Sequence, residues 1–159
     1  MLEFKLLLLI GIANGTPVIV KKLLGSFWAY PVDANKSFFD GRPVFGPSKT
    51  IRGLVSSVLA TSLGAAILSF YWLHGFYIAV SAMAGDLLSS FVKRRMGKAS
   101  SSMVLGIDQV PESLFPMIVA KYLFDLPWLS VALVVVVFFI TELLLSRLLY
   151  KLKIRDVPY

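Results

Sequence analysis

The chain has 159 residues, of which 57% are hydrophobic, with a mean hydropathy of +0.79 and a formal net charge of +7. Soluble domains carry an apolar share of about 45–50%, so an ordinary water-soluble protein is excluded, and the length leaves no room for a separate soluble catalytic module. No cysteine is present, which removes disulfides and thiolate metal sites and leaves the redox compartment unread.

Five apolar segments, each near the ~20 residues that cross ~30 Å of hydrocarbon, predict an all-α integral membrane protein of about five transmembrane helices in a single domain, residues 1–159. The first, Phe4–Val20, resembles a signal peptide in its run LLLLIGIANG. Lys5 is the only cation ahead of it and Glu3 offsets that charge, so a retained helix is expected. Asn14, in ANGTP near its inner end, adds a donor and an acceptor to the membrane interior.

A loop of about thirty residues follows, Lys21–Thr50, rich in Gly, Pro and cations; loops of this length are usually functional or disordered. It leads into the second segment, Ile51–Leu73. Ser48, Lys49, Thr50 and Arg52 stand at that helix's N-terminus, where free N–H groups and the helix dipole attract phosphate. GPSKT lacks the spacing of a Walker A loop, and a plain cap and anchor is the alternative reading. Inside the segment, Gly53, Ser57, Thr61 and Gly64 form a small-xxx-small stripe for helix packing.

The third segment, Gly75–Val92, ends in GDLLSSFVKRRMG. At 100° per residue Asp86, Ser89, Ser90 and Lys93 share an arc of about 100°, and Ala79 and Ala82 extend that face outward. Asp86 lies about 18 Å below the outer edge, in the inner third of the membrane. A carboxylate there costs about 2.5–3.5 kcal/mol unless it is paired, solvated or metal-bound. Pairing with Lys93 or Arg94 is the plain reading; a polar wall built for an anion and its metal is the functional one. Arg95 falls about 180° from Asp86 and is expected to serve as a stop-transfer charge.

A second loop, Lys93–Ile107, leads to the fourth segment, Val110–Phe124, which holds Pro111, Glu112, Pro116 and Lys121 and is expected to be an inner helix. Asp108 precedes Pro111 and is either a helix cap or a site residue. Asp86 and Asp108 at successive helix ends, with oxygen-only neighbours, suit Mg²⁺, which takes one or two carboxylates plus substrate phosphates and water. His74, the only histidine, belongs to the opposite side. The fifth segment, Trp128–Leu149, contains Glu142, expected to bond between helices or to snorkel.

The outer connections are short, YWLHG and DLP. All cations except Lys5 and Lys121 fall in alternate connections, which predicts an outside N-terminus, a cytoplasmic C-terminus and long cytoplasmic loops between helices 1 and 2 and helices 3 and 4. The basic charge then needs no nucleic acid.

GPSKTIRGL, GDLLSSFVKRRMG and GIDQ, in this order across nearly the whole chain, resemble the CDP-archaeol synthase family, which is related to the phosphatidate cytidylyltransferases. The resemblance implies Mg²⁺-dependent transfer of CMP from CTP to a membrane lipid phosphate at the cytoplasmic face of the plasma membrane. It implies metal ligation by Asp86 and Asp108, with Glu112 a further candidate, and a nucleotide pocket of Lys49, Thr50, Ser89, Ser90, Lys93 and Arg94. One departure stands out: the archaeal pattern has an acid at the position of Pro111, whereas here Glu112 follows one step later, about 100° around the helix. The lipid identity, archaeal ether lipid or phosphatidic acid, is left open by it. Two other classes compete. A transporter of a phosphorylated solute needs polar residues through the outer halves of the spans, and these are sparse. A non-catalytic lipid-binding scaffold leaves the two acids unexplained.

Overall fold

Each apolar segment forms one helix, and local backbone chemistry sets where each helix stops. The computed structural model describes residues 1–152, apart from the side chain of Leu149. It contains α1 (Leu2–Leu24), α2 (Ile51–Ile67), α3 (Trp72–Arg95), α4 (Gln109–Phe124) and α5 (Trp128–Lys151). Helices α1 and α3, and Trp128–Leu148 of α5, are long and apolar enough to cross a membrane by length and composition. With 17 and 16 residues, α2 and α4 reach only about 26 and 24 Å against ~30 Å of hydrocarbon. Lys153 and Arg155, counted above among the inner cations, lie outside the described residues.

Helix α2 stops earlier than its hydropathy predicts. Ser69 takes a left-handed φ of 65°, and its neighbours turn back to bond Gly64 and Ala65, Leu68 N–H to Gly64 O and Phe70 N–H to Ala65 O. The outer connection is therefore residues 68–71, and Trp72, Leu73 and His74 of the expected YWLHG loop open α3 instead. The DLP connection stands as expected: Asp125 at φ 50° ends α4 and Pro127 caps α5.

Small residues let the helices meet closely. Pro17 has no N–H to give, which frees the carbonyl of Ala13 four residues back. Ser57 Oγ of α2 donates to that carbonyl at 2.7 Å. Farther along α2, a Cβ at Gly64 would meet Ile12 Cδ1 at 2.9 Å, and Gly75 of α3 approaches the backbone oxygen of Thr61 so closely that its Cβ would lie at 2.5 Å. The stripe read in the second segment is thus the contact surface with α1 and α3.

Helix α3 touches α1, α2 and α4, and α5 packs on α4 and α1. The half of the bundle away from the long loops is filled by Leu6, Leu9, Ile10, Ile78, Met117 and Phe138. The inner half narrows to small residues, with Ala13, Ala82 and Met83 packed together. Just below, α3 and α4 meet at Gly85. A Cβ there would stand 2.2 Å from the Pro111 carbonyl oxygen and 2.9 Å from Glu112 N.

The first long loop is ordered, although it forms no regular strand. Bridges pair Pro31 with Thr50 and Ser37 with Pro43, and Val32 N–H donates to Lys49 O at 2.8 Å. Asp33 gathers the middle: Oδ2 accepts from Phe45 N–H at 2.9 Å and Gly46 N–H at 2.8 Å, and Oδ1 from Asn35 N–H at 3.0 Å.

The helix contact at Gly85 generates a test. Gly85→Ala forces α4 away and should lower stability by about 1–3 kcal/mol, seen as a Tm several degrees lower in detergent. Gly11→Ala, where a Cβ meets nothing within 4 Å, should leave Tm unchanged. Equal Tm in both variants would contradict the close α3–α4 approach.

Candidate active site

The close approach at Gly85 brings Asp86, the next residue of α3, beside Glu112 of α4. From the first loop Lys49 arrives on the other side, its Nζ 2.5 Å from Asp86 Oδ1. Lys49 also feels the charges of Glu112 and Asp108. Burial works against a charge on Lys49, but Asp86 and Glu112 outweigh it and hold its pKa above the ordinary 10.5. The ammonium therefore stays charged at neutral pH.

A second pair lies beside the first. Lys93 Nζ stands 2.5 Å from Asp108 Oδ1 and donates to Ser102 O at 2.8 Å. Asp108 Oδ2 accepts from Val104 N–H at 2.9 Å. The capping role considered for Asp108 is not adopted: its side chain makes no cap bond and its backbone is already helical, at φ −78° and ψ −58°. The carboxylate turns instead toward Lys93 and the second loop. The plain pairing of Asp86 with Lys93 or Arg94 is likewise replaced, because the partner is Lys49.

The serines and basic residues of the α3 face are buried as their spacing requires. Ser89, Ser90, Lys93 and Arg94 all lie inside. Ser89 Oγ is engaged with its own helix, donating to Asp86 O at 2.9 Å. Arg94 donates from Nη2 to Ala99 O at 2.8 Å, while its Nε is buried with no partner. Both polar atoms of the Asn14 amide are also buried and unpartnered. Its neighbour Ala13 packs on Ala82, which puts Asn14 about one helical turn outward of Asp86.

Three expected nucleotide contacts are engaged elsewhere. Arg52 turns away, bonding the carbonyls of Phe27 and Gly25 (the latter at 3.1 Å), and so ties the end of α1 to α2. Thr50 is the N-cap of α2, its Oγ1 accepting from Gly53 N–H at 3.2 Å. Ser48 joins the two long loops, its Oγ 3.0 Å from Ser100 Oγ. Arg95 also departs from expectation: its guanidinium binds Asp40 and the carbonyls of Arg42 and Pro43. Sequence reasoning passed over Asp33, Asp40 and Arg42. The signal was present in VDAN and FDGR, turn sequences in which Asp side chains take backbone N–H groups.

The oxygen-only donor set fits Mg²⁺. Asp86 and Glu112 lie side by side across the α3–α4 contact, Asp108 pairs with Lys93 beside them, and an unpartnered amide oxygen of Asn14 is near in depth. Among the described residues no three Asp, Glu, His or Cys groups form a ready metal cluster. A metal here would complete its shell with phosphate and water, as Mg²⁺ does. His74 packs among the rings of Phe70, Tyr71 and Phe124 at the far end of α3.

Comparison with known proteins adds an independent line. A family model described as "CarS-like: CDP-archaeol synthase" matches residues 4–159. The CDP-archaeol synthase of Sulfurisphaera tokodaii is 34% identical over 157 residues, covering 93% of this chain and 89% of that one. That of Saccharolobus islandicus is 32% identical over 154 residues with the same coverage. A solved structure described as an intramembrane enzyme for archaeal membrane lipids biosynthesis superposes with a TM-score of 0.76 at 30% identity, covering 89% of this chain and 90% of that chain.

Asp33 generates a pH prediction. Burial raises the cost of its charge, but the N–H groups of Gly46, Phe45 and Asn35 outweigh this and hold its pKa below the ordinary 3.8. Its grip on the loop is then full above that value and is lost as pH falls through the lowered folded value. Hydrogen-exchange protection of the Phe45 and Gly46 amides should be constant from neutral pH down to about pH 4 and collapse below. Asp33→Ala should lack that protection at neutral pH; retained protection would refute the role.

Proposed function

The chain belongs to the CDP-archaeol synthase family, a family of cytidylyltransferases, and from that premise we propose that it transfers CMP from CTP to the phosphate of a membrane lipid, giving a CDP-lipid of the CDP-archaeol type and pyrophosphate. The observation that carries this reading is the buried cluster of Lys49, Asp86 and Glu112 beside Lys93 and Asp108. Three acids and two ammonium groups within a membrane bundle are costly to bury, and they suit a metal-bound triphosphate.

A phosphate monoester is already largely dianionic near neutral pH, its second pKa being about 6, so its oxygen needs no general base. That oxygen attacks the α-phosphorus of CTP; a new P–O bond forms and the bond to the β-phosphate breaks, its electron pair leaving with pyrophosphate. Lys49 and Lys93 are placed to hold the phosphates, and Arg94 offers its unpartnered Nε to the same anion. Charge-assisted contacts of this kind align two anions that otherwise repel. Asp86, Glu112 and Asp108 are the residues that would hold Mg²⁺. Once bound, the ion neutralises charge on the phosphates and on the departing pyrophosphate.

The shift from the archaeal acid position is accommodated by geometry. Pro111 faces Gly85 with its backbone, and Glu112, one position later, lies beside Asp86. This supports Glu112 as the second acid, and the relatives' shared name supports an ether-lipid phosphate over phosphatidic acid as acceptor.

The purified protein with labelled CTP, Mg²⁺ and a panel of ether-lipid phosphate and phosphatidic acid should form a CDP-lipid, fastest with the ether lipid. Asp86→Asn, Asp108→Asn and Glu112→Gln should each reduce turnover by at least about 100-fold, the order of two to three lost kcal/mol, with the protein still folded and membrane-inserted. Turnover within a few fold of wild type in Asp86→Asn or Asp108→Asn would refute the assignment.

Orientation follows from the cations: we place the N-terminus outside and the site at the cytoplasmic face of the plasma membrane. Because the chain has no cysteine, single replacements of Ser26 and Lys98 should react with impermeant maleimide only from the cytoplasmic side, and one of Tyr71 only from outside. The opposite labelling would invert the topology.

A further inference from the structure

A stop-transfer arginine needs only water around its charge, yet Arg95 is gripped by the first loop. Its side chain is 21% exposed. The guanidinium lies 4.9 Å from the ring centroid of Phe38 and 5.0 Å from that of Phe91, between loop and helix. It bonds the Asp40 carboxylate, Pro43 O at 2.5 Å and Arg42 O at 3.2 Å. Asp40 in turn accepts from Arg42 N–H at 3.1 Å, which closes the turn.

The grip is mutual. A helix end leaves four carbonyls without helical partners, and Arg42 answers two of those of α3, donating from Nη1 to Arg95 O at 2.5 Å and Arg94 O at 3.4 Å. Gly97, at φ +71°, lets Arg42 approach: a Cβ there would stand 3.4 Å from Nη1. Two arginines thus clasp the tip of the first loop to the inner end of α3.

Little slack remains between this clasp and Lys49. Asp33 fixes Phe45 and Gly46, Lys49 N–H donates to Gly46 O at 3.2 Å, and Thr50 caps α2. Both ends of the stretch that delivers Lys49 are therefore tied down, one of them by Arg95. We infer that Arg95 is a positioning residue for the nucleotide site: by gripping residues 40–43 it holds Gly46–Thr50, and with them the Lys49 ammonium, over Asp86. The inference rests on the cytidylyl-transfer reading for its substrate. It requires the planar fork of arginine, since a lysine keeps the charge but cannot serve a carboxylate and two carbonyls while stacked on rings.

The test uses the full chain in lipid nanodiscs, with Arg95→Ala, Arg95→Lys and Asp40→Asn beside Lys98→Ala, an exposed cation of the second loop. KM for CTP should rise about tenfold, the scale of one charge-assisted contact, in Arg95→Ala and in Arg95→Lys, and less in Asp40→Asn. KM for the lipid phosphate and kcat at saturating CTP should stay near wild type, and Lys98→Ala should change nothing. Without substrates, hydrogen exchange over residues 45–50 should quicken in Arg95→Ala. A wild-type KM for CTP in Arg95→Ala overturns the inference, as does full rescue by Arg95→Lys or an equal loss in kcat and both KM values. If the wild-type protein shows no CTP turnover while Arg95→Ala still quickens exchange over 45–50, the cytidylyl reading falls and the clasp stands.

Discussion

The structure depends on one place where two backbones touch. At Gly85 no side chain separates α3 from α4, and the carbonyl of Pro111 occupies the space a Cβ would take. Any larger residue would push α4 outward by the width of a methyl group or more. Asp86 would then lose Glu112, and Asp108 at the start of α4 would shift relative to Lys93. Close approach is favoured here because lipid tails offer no hydrophobic drive for helix association, so dispersion between tightly packed backbones must supply it. The same logic runs up the bundle through Gly75 against Thr61 and Gly64 against Ile12.

Charge balance at the inner end follows from that packing. Two carboxylates of the cluster each meet an ammonium group on a different element: Asp86 meets Lys49 from the loop, and Asp108 meets Lys93 from the preceding helix. A lone buried charge is far more costly than a pair, so these pairs couple the folding of the first loop to the helices beneath it. Lys49, Ser48 and the Arg42–Arg95 contacts all join that loop to α3 or the second loop. The loop behaves as part of the site, not as a connection between spans.

Much of this was legible in the chain. Helices follow from hydropathy because a bilayer admits little else, and the stripe of Gly53, Ser57, Thr61 and Gly64 follows from helical periodicity. The buried face of Ser89, Ser90 and Lys93 follows from the same 100° step. Contacts between distant residues did not. Lys49 and Asp86 are 37 positions apart, and no local pattern says that a loop lysine outcompetes Lys93 for the acid. Thr50 and Arg52 sat in a phosphate-like context, yet Thr50 caps α2, whose N-terminus must satisfy its own N–H groups first, and Arg52 is drawn to free carbonyls past the end of α1. The early end of α2 was hidden because Ser69, a non-glycine residue, adopts the left-handed conformation. Arg95 misled because side-chain angle around a helix says which way a residue starts, not how far a long arginine reaches.

The shortness of α2 has a bearing on the bilayer itself. Ile51, Val55, Leu59, Leu63 and Ile67 form an exposed apolar ridge along its whole length, so this helix borders lipid, yet it covers about 4 Å less than the hydrocarbon thickness. Such a mismatch is met by local thinning of the membrane at a cost of fractions of a kcal/mol per ångström. Headgroups next to α2 are drawn toward the midplane, on the flank where Thr50 and Lys49 begin. A lipid with its phosphate in that dimple lies nearer the depth of Asp86 than one in flat membrane. If the bilayer thins there, its elastic deformation would help present a lipid phosphate to the proposed site, and membrane thickness would tune the protein without touching any of its residues.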